Sequence, residues 1–204
     1  MLQFITRYNN KYSIIEQVKM VLEAGCKWIQ LSLTETDDEE LKTVTREIIQ
    51  LCKEADAILI LENNINIIKE IDVLGTHITQ REISANDVRS ILEGGPIIGI
   101  TANTAEDIIS LKGIDVDYVT LELLNNPNEN TTSILNIEDY RKIVTDVRNE
   151  GIDLPIVAKG NITVENIDDI MTTGINGIAM DDVILNAEDP IQYTKSILKK
   201  LYNK

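Results

Sequence analysis

Eight short aliphatic runs, each followed by a segment of helical periodicity, predict a single (β/α)8 TIM barrel over residues 1–204. The runs are rich in Ile, Leu and Val, as parallel strands buried on both faces require. A length of 204 residues, without an internal change in composition, suits one domain near the lower size limit of that fold. Strict β–α alternation also fits an open doubly wound sheet. Eight units with strands of about five residues favour closure.

Residues 2–6 form the first strand. Ser13 with Glu16 reads as a capping box, and Ile14, Val18, Val21 and Leu22 share a helical face that Gly25 ends. Residues 28–33 are the second strand, followed by a long helix over 37–53 that starts in acids. Strand 57–61 leads to a short helix over 64–71, and strand 74–78 to a helix over 84–92, with Ser84 as its cap. Strand 96–100 precedes a helix capped by Thr104 with Asp107 and stopped by Gly113. Strand 117–123 is followed by NNPNENTTS, residues 125–133, an extended polar segment that reads as a loop. A helix over 137–149 then leads to strand 154–158, helix 163–172 opened by Thr163, strand 177–180 and a last helix over 189–202.

The formal charge is −15, from 34 acidic and 19 basic residues. Nucleic acid and anionic membranes are therefore excluded as partners, since both need a clustered basic surface. The start of the sequence has no apolar signal-like segment, and no apolar run approaches the ~18 residues of a membrane span. Cys26 and Cys52 form no CxxC and read as structural thiols, so a cytoplasmic location is expected.

A barrel of this kind carries its site at the carboxyl ends of the strands. Collected there are Arg7 and Tyr8; Gln30, Ser32 and Thr34; Glu62 and Asn63; His77, Gln80 and Glu82; Thr101 and Asn103; Glu122; Lys159, Gly160 and Asn161; and Asp181 and Asp182. Solvation alone also puts polar groups at strand ends. His77 thus reads first as a hydrogen-bonded strand-end histidine, Lys159 as a solvated or ion-paired lysine, and Asp181 and Asp182 as internal helix caps.

The order and spacing of WIQLSL, AILILENN, LGTHITQRE, IIGITANTAED, DYVTLEL and PIVAKGNITVENIDDIMTTGINGIAMDDVI resemble thiamine phosphate synthase and its TenI-like relatives. The resemblance spans almost the whole chain and implies a (β/α)8 barrel. The reaction it implies joins hydroxymethylpyrimidine diphosphate to thiazole phosphate, with release of pyrophosphate and help from Mg²⁺. It also implies substrate-binding roles for Gln30, Ser32, Asn63, His77, Gln80, Thr101, Lys159, Gly160, Asn161, Asp181 and Asp182, and a metal set of Glu62, Asn63 and Glu82.

Several of these positions depart from the family pattern. Ser32 and Thr34 stand where it has an arginine and a lysine, and Asn63 where it has an aspartate. Asn161 replaces the second glycine of a phosphate-binding turn, and Asp181-Asp182 replaces a Val-Ser turn. A carboxylate ~4 Å from a phosphate charge costs about 4 kcal/mol at an effective dielectric near 20. Alternatives to an active synthase are therefore a catalytically inactive member that binds a small molecule or partners an active paralogue, and a TenI-like isomerase. The losses fall on chemistry while the scaffold is kept, which on physical grounds leans slightly to the inactive member. The expected partners are a small phosphorylated molecule and a second copy or paralogue of the chain.

Overall fold

The computed structural model describes residues 1–33, 36–79, 85–91, 95–122 and 137–202. Eight parallel strands close into a barrel in sequence order: β1 (Leu2–Ile5), β2 (Trp28–Leu31), β3 (Ile58–Glu62), β4 (Gly75–Ile78), β5 (Ile97–Ala102), β6 (Tyr118–Glu122), β7 (Ile156–Lys159) and β8 (Gly177–Met180). Pairing of Leu2 with Ile178 and of Phe4 with Met180 shuts the ring. Among the described residues no helix is long and apolar enough to cross a membrane.

The helices follow where periodicity and caps place them. α1 (Ile14–Glu23) starts in the expected capping box, with Ser13 accepting from the Glu16 N–H and Glu16 accepting from the Ser13 N–H. α2 (Asp38–Glu54) is capped by Asp37, and acids fill its first turn where the helix dipole favours negative charge. Its buried Leu41, Thr45, Ile48 and Cys52 recur at helical spacing. α3 (Ile65–Glu70), α4 (Ala85–Ile91), α5 (Ala105–Ile109) and α6 (Ile137–Asn149) complete the crossovers up to β7. Thr104 and Asp107 make the second expected capping box. The Ser84 cap and the loop over 125–133 lie outside the described residues.

Two expectations are corrected. Thr163 does not open a helix: α7 covers Ile167–Met171 and begins four residues later. The Asn166 carboxamide accepts from the Thr163 N–H and donates to the Asn161 carbonyl, so the chain closes a turn there before it coils. After β8, α8 (Asp182–Leu185) adds a single turn that periodicity could not reveal in so few residues, ahead of α9 (Pro190–Tyr202).

Alternation along each strand splits the apolar residues into two sets. Phe4, Ile29, Leu31, Ile98, Val119 and Ile156 point outward and pack under the helices in the main core. Ile5, Tyr118, Val157 and Ala179, with Trp28 and Ile97 against them, fill the barrel interior. Trp28 and Tyr118 meet edge to face, with centroids 4.8 Å apart. Their rings fit because neighbouring inward positions are small, above all Gly99, where a Cβ would overlap the Tyr118 ring.

Gly99→Ala is expected to lower stability by about 1–3 kcal/mol, the range for overpacking a filled core. The Tyr118 ring would have to move off its hydrogen-bond partners, and urea unfolding of the variant measures the loss.

Candidate functional site

At the carboxyl ends of the strands the polar side chains divide into two arcs. Those on β2 to β5 are joined into one hydrogen-bonded chain through Gln3 of β1 and Tyr118 of β6 in the barrel interior. Glu62 accepts from Gln30 Nε2 at 2.6 Å and from Ser32 Oγ at 3.0 Å. Gln30 Oε1 accepts from Gln3 Nε2 at 3.0 Å, and that nitrogen also lies 3.0 Å from the Tyr118 hydroxyl. Tyr118 is 2.9 Å from His77 Nδ1, and His77 Nε2 is 2.9 Å from Thr101 Oγ1. Period-two alternation aims these residues inward, and the pairing of Glu62 with His77 and of His77 with Gly99 sets them level.

The second arc runs from β6 through β8 to the end of β1 and holds two ion pairs. Lys159 lies 3.0 Å from Glu122, its pairing partner across β6 and β7. Arg7 lies 3.0 Å from Asp181 Oδ2, while Asp181 Oδ1 accepts from the Asp182 N–H. Asp181 thus caps α8 and neutralises Arg7 at once, whereas Asp182 is the first residue of that turn. Arg7 itself is placed by the buried Gln17 of α1, whose amide donates to the Arg7 and Tyr12 carbonyls and accepts from the Arg7 N–H.

The remaining expected residues are held by local turns. Asn63 adopts a left-handed φ of 57°, which asparagine tolerates, and both its amide atoms engage Thr79 across β3 and β4. Gly160 has a φ of 128°, a conformation reserved in practice for glycine, and the Tyr140 hydroxyl donates to the carbonyl before it. Asn161 gives its carbonyl to Asn166. Gln80, Glu82, Thr34 and Arg81 lie outside the described residues. Within the described residues no three His, Cys, Asp or Glu side chains gather around a metal position.

Beside the rim, a cavity of about 580 Å³ opens between α1 and α2, lined by Arg7, Tyr12, Ile14, Ser32, Leu33 and Val44. It shares Arg7 and Ser32 with the rim. Its size is that of a small-molecule site.

Strand-end counting missed Gln3, Thr6, Gln17 and Tyr118, all buried. Thr6 clamps Ser32, donating to its carbonyl and accepting from its N–H. For Gln3 the available signal was a polar residue inside an aliphatic strand, LQFI.

Burial, with a smaller contribution from the Lys159 charge, pushes the His77 imidazole from its ordinary 6.5 down to about 3. Burial likewise raises the thiols, Cys26 to about 11 and Cys52 to about 12, so neither supplies a nucleophile near neutrality. The unfolded chain takes up the histidine proton near pH 6.5 and the folded chain only near pH 3, so stability is lost as pH falls through that window. Between pH 7 and pH 5 the protein should lose about 2 kcal/mol more than a His77→Gln variant, measured by urea unfolding at both pH values. Equal losses in both would contradict a buried neutral imidazole.

The chain resembles known proteins along its length. The family model for thiamine monophosphate synthase matches residues 2–184. Thiamine-phosphate synthase of Bacteroides fragilis is 39% identical over 97% of this chain and 98% of that protein. The Bacteroides thetaiotaomicron protein of the same name is also 39% identical, over 97% of this chain and 95% of its own length. Thiamine phosphate pyrophosphorylase from Pyrococcus furiosus superposes with a TM-score of 0.85 over 99% of this chain and 95% of that one, and at 24% identity this shows the shared barrel. On the match across all eight strands and the identity to full-length relatives, the chain belongs to the thiamine monophosphate synthase family.

Proposed function

We propose that the protein acts as a thiamine-phosphate synthase of the cytoplasm, joining hydroxymethylpyrimidine diphosphate to thiazole phosphate with release of pyrophosphate. The observation that carries this reading, within a chain of this family, is the arc of two cations facing a hydrogen-bonded polar arc across the barrel mouth. The arginine and lysine expected at positions 32 and 34 are replaced by Ser32 and Thr34, and Arg7 and Lys159 offer positive charge from other strands.

Both cations are bound to carboxylates at the barrel mouth. Both pairs are only partly buried, so a phosphate group that enters the barrel mouth can replace Asp181 or Glu122 as the partner of each cation. A diphosphate brings several anionic oxygens to the same guanidinium and ammonium, and it takes on charge as it leaves. Arg7 and Lys159 would stabilise that charge, while Gln30 and Thr101 position the pyrimidine side and the Gly160 turn meets the thiazole phosphate.

Mg²⁺ needs few protein ligands when substrate phosphates complete its coordination. Glu62 fits such a role, since each oxygen accepts one hydrogen bond and retains acceptor capacity. Glu62, with Glu82 and Asn63 as the resemblance implies, would hold the ion, which supplies neutralising charge to the diphosphate. Ser32 and Gln30 keep the Glu62 carboxylate oriented at the rim.

Asp181 also favours a second reading, an inactive member, because its carboxylate already occupies the turn where a phosphate would sit. Incubation with both substrates and Mg²⁺ separates the two. Release of pyrophosphate with formation of thiamine phosphate is the expected result; absence of turnover at high protein concentration would sink the synthase reading.

A further inference from the structure

The hydrogen-bonded chain across the barrel has a direction that its chemistry determines. Glu62, as a carboxylate, only accepts, so Gln30 must turn its Nε2 toward it and its Oε1 toward Gln3. Gln3 must then present its own Nε2 to Gln30. The second hydrogen on that nitrogen faces the Tyr118 oxygen, 3.0 Å away. With its oxygen accepting from Gln3, Tyr118 spends its single hydrogen on His77 Nδ1. The imidazole then carries its proton on Nε2 and donates to Thr101 Oγ1. The opposite orientation of Gln3 would bring two amide oxygens together. Its cost is avoided even though Gln3 Oε1 is left buried without a partner among the described residues.

We propose that Gln3, Gln30 and Tyr118 are positioning residues that carry the orientation set by Glu62 across the barrel and hold His77 in the neutral Nε2–H tautomer. Thr101 is thereby an acceptor toward His77 and directs its own hydroxyl hydrogen to an acceptor on the bound ligand. The polar arc thus presents a carboxylate at one end and a hydroxyl donor at the other. Nothing in the arrangement requires the imidazole to gain or lose a proton. His77 is a relay of orientation and not a general base.

His77 is the only histidine in the chain, so its ring nitrogens can be read without ambiguity by long-range ¹H–¹⁵N correlation of uniformly labelled protein at pH 7. No substrate is needed, so the outcome is independent of the synthase assay. The expected spectrum has an unprotonated Nδ1 and a protonated Nε2. An Nδ1–H tautomer, or a ring protonated at both nitrogens, would overturn the proposal, and this measurement involves no substitution. Tyr118→Phe, and Gln3→Met, which acts on the ring only through Tyr118, should each replace the single-tautomer pattern by a mixture of the two neutral forms. An unchanged, purely Nε2–H ring in both folded variants would show that the relay does not set the tautomer.

Discussion

The Tyr118 phenol, seated against Gly99 and hydrogen-bonded to Gln3 and His77, is the contact on which the barrel mouth depends. Eight short strands enclose a space that must be filled by side chains, because a ring of this size is a packed core and not a pore. With Ala179 and glycines on several inward positions, two aromatic rings supply much of the missing volume. A buried phenol needs a partner, and so does each polar group that meets it. Filling the barrel with Tyr118 therefore commits Gln3, Gln30 and His77 to one connected arrangement. Trp28 Nε1 and Thr120 Oγ1 are buried without partners among the described residues, which shows how little slack that interior leaves.

Above this floor the rim is governed by charge. The family pattern implied cations at positions 32 and 34; here those positions hold neutral hydroxyls, and Ser32 serves to hold Glu62. Positive charge sits instead on the ends of β1 and β7, each balanced by a carboxylate from a neighbouring strand. In a chain of net charge −15 such balance is the resting condition to expect. A phosphorylated ligand does not meet bare cations there. Under the proposed function it would compete with Asp181 and Glu122 for them at pairs that are only partly buried.

Much of this was legible before the structure. Branched aliphatic runs and capping boxes at Ser13 and Thr104 carry their own local physics, so the eight strands and these two helix starts could be placed from the sequence, with element ends shifting by a few residues. The motif order from WIQLSL to the end of β8 carried the family. The partners of Arg7 and Lys159 were not legible, because they depend on strand register and on closure between β1 and β8. For the same reason the buried network of Gln3, Tyr118 and His77 escaped a reading that collected strand ends alone. Thr163 misled because a threonine before a helical pattern suits a cap and a turn equally well, and Asn166 decided between them. The expectations for Gln80, Glu82 and the 125–133 segment fall outside the described residues.

The central claim is that Arg7 and Lys159 leave their own carboxylates for the phosphates of a ligand. A structure determined with pyrophosphate bound tests it most directly. The account predicts phosphate oxygens within hydrogen-bond distance of the Arg7 guanidinium and the Lys159 ammonium, with the contacts to Asp181 and Glu122 lengthened or broken. Pyrophosphate bound at the barrel mouth with both ion pairs intact would contradict it.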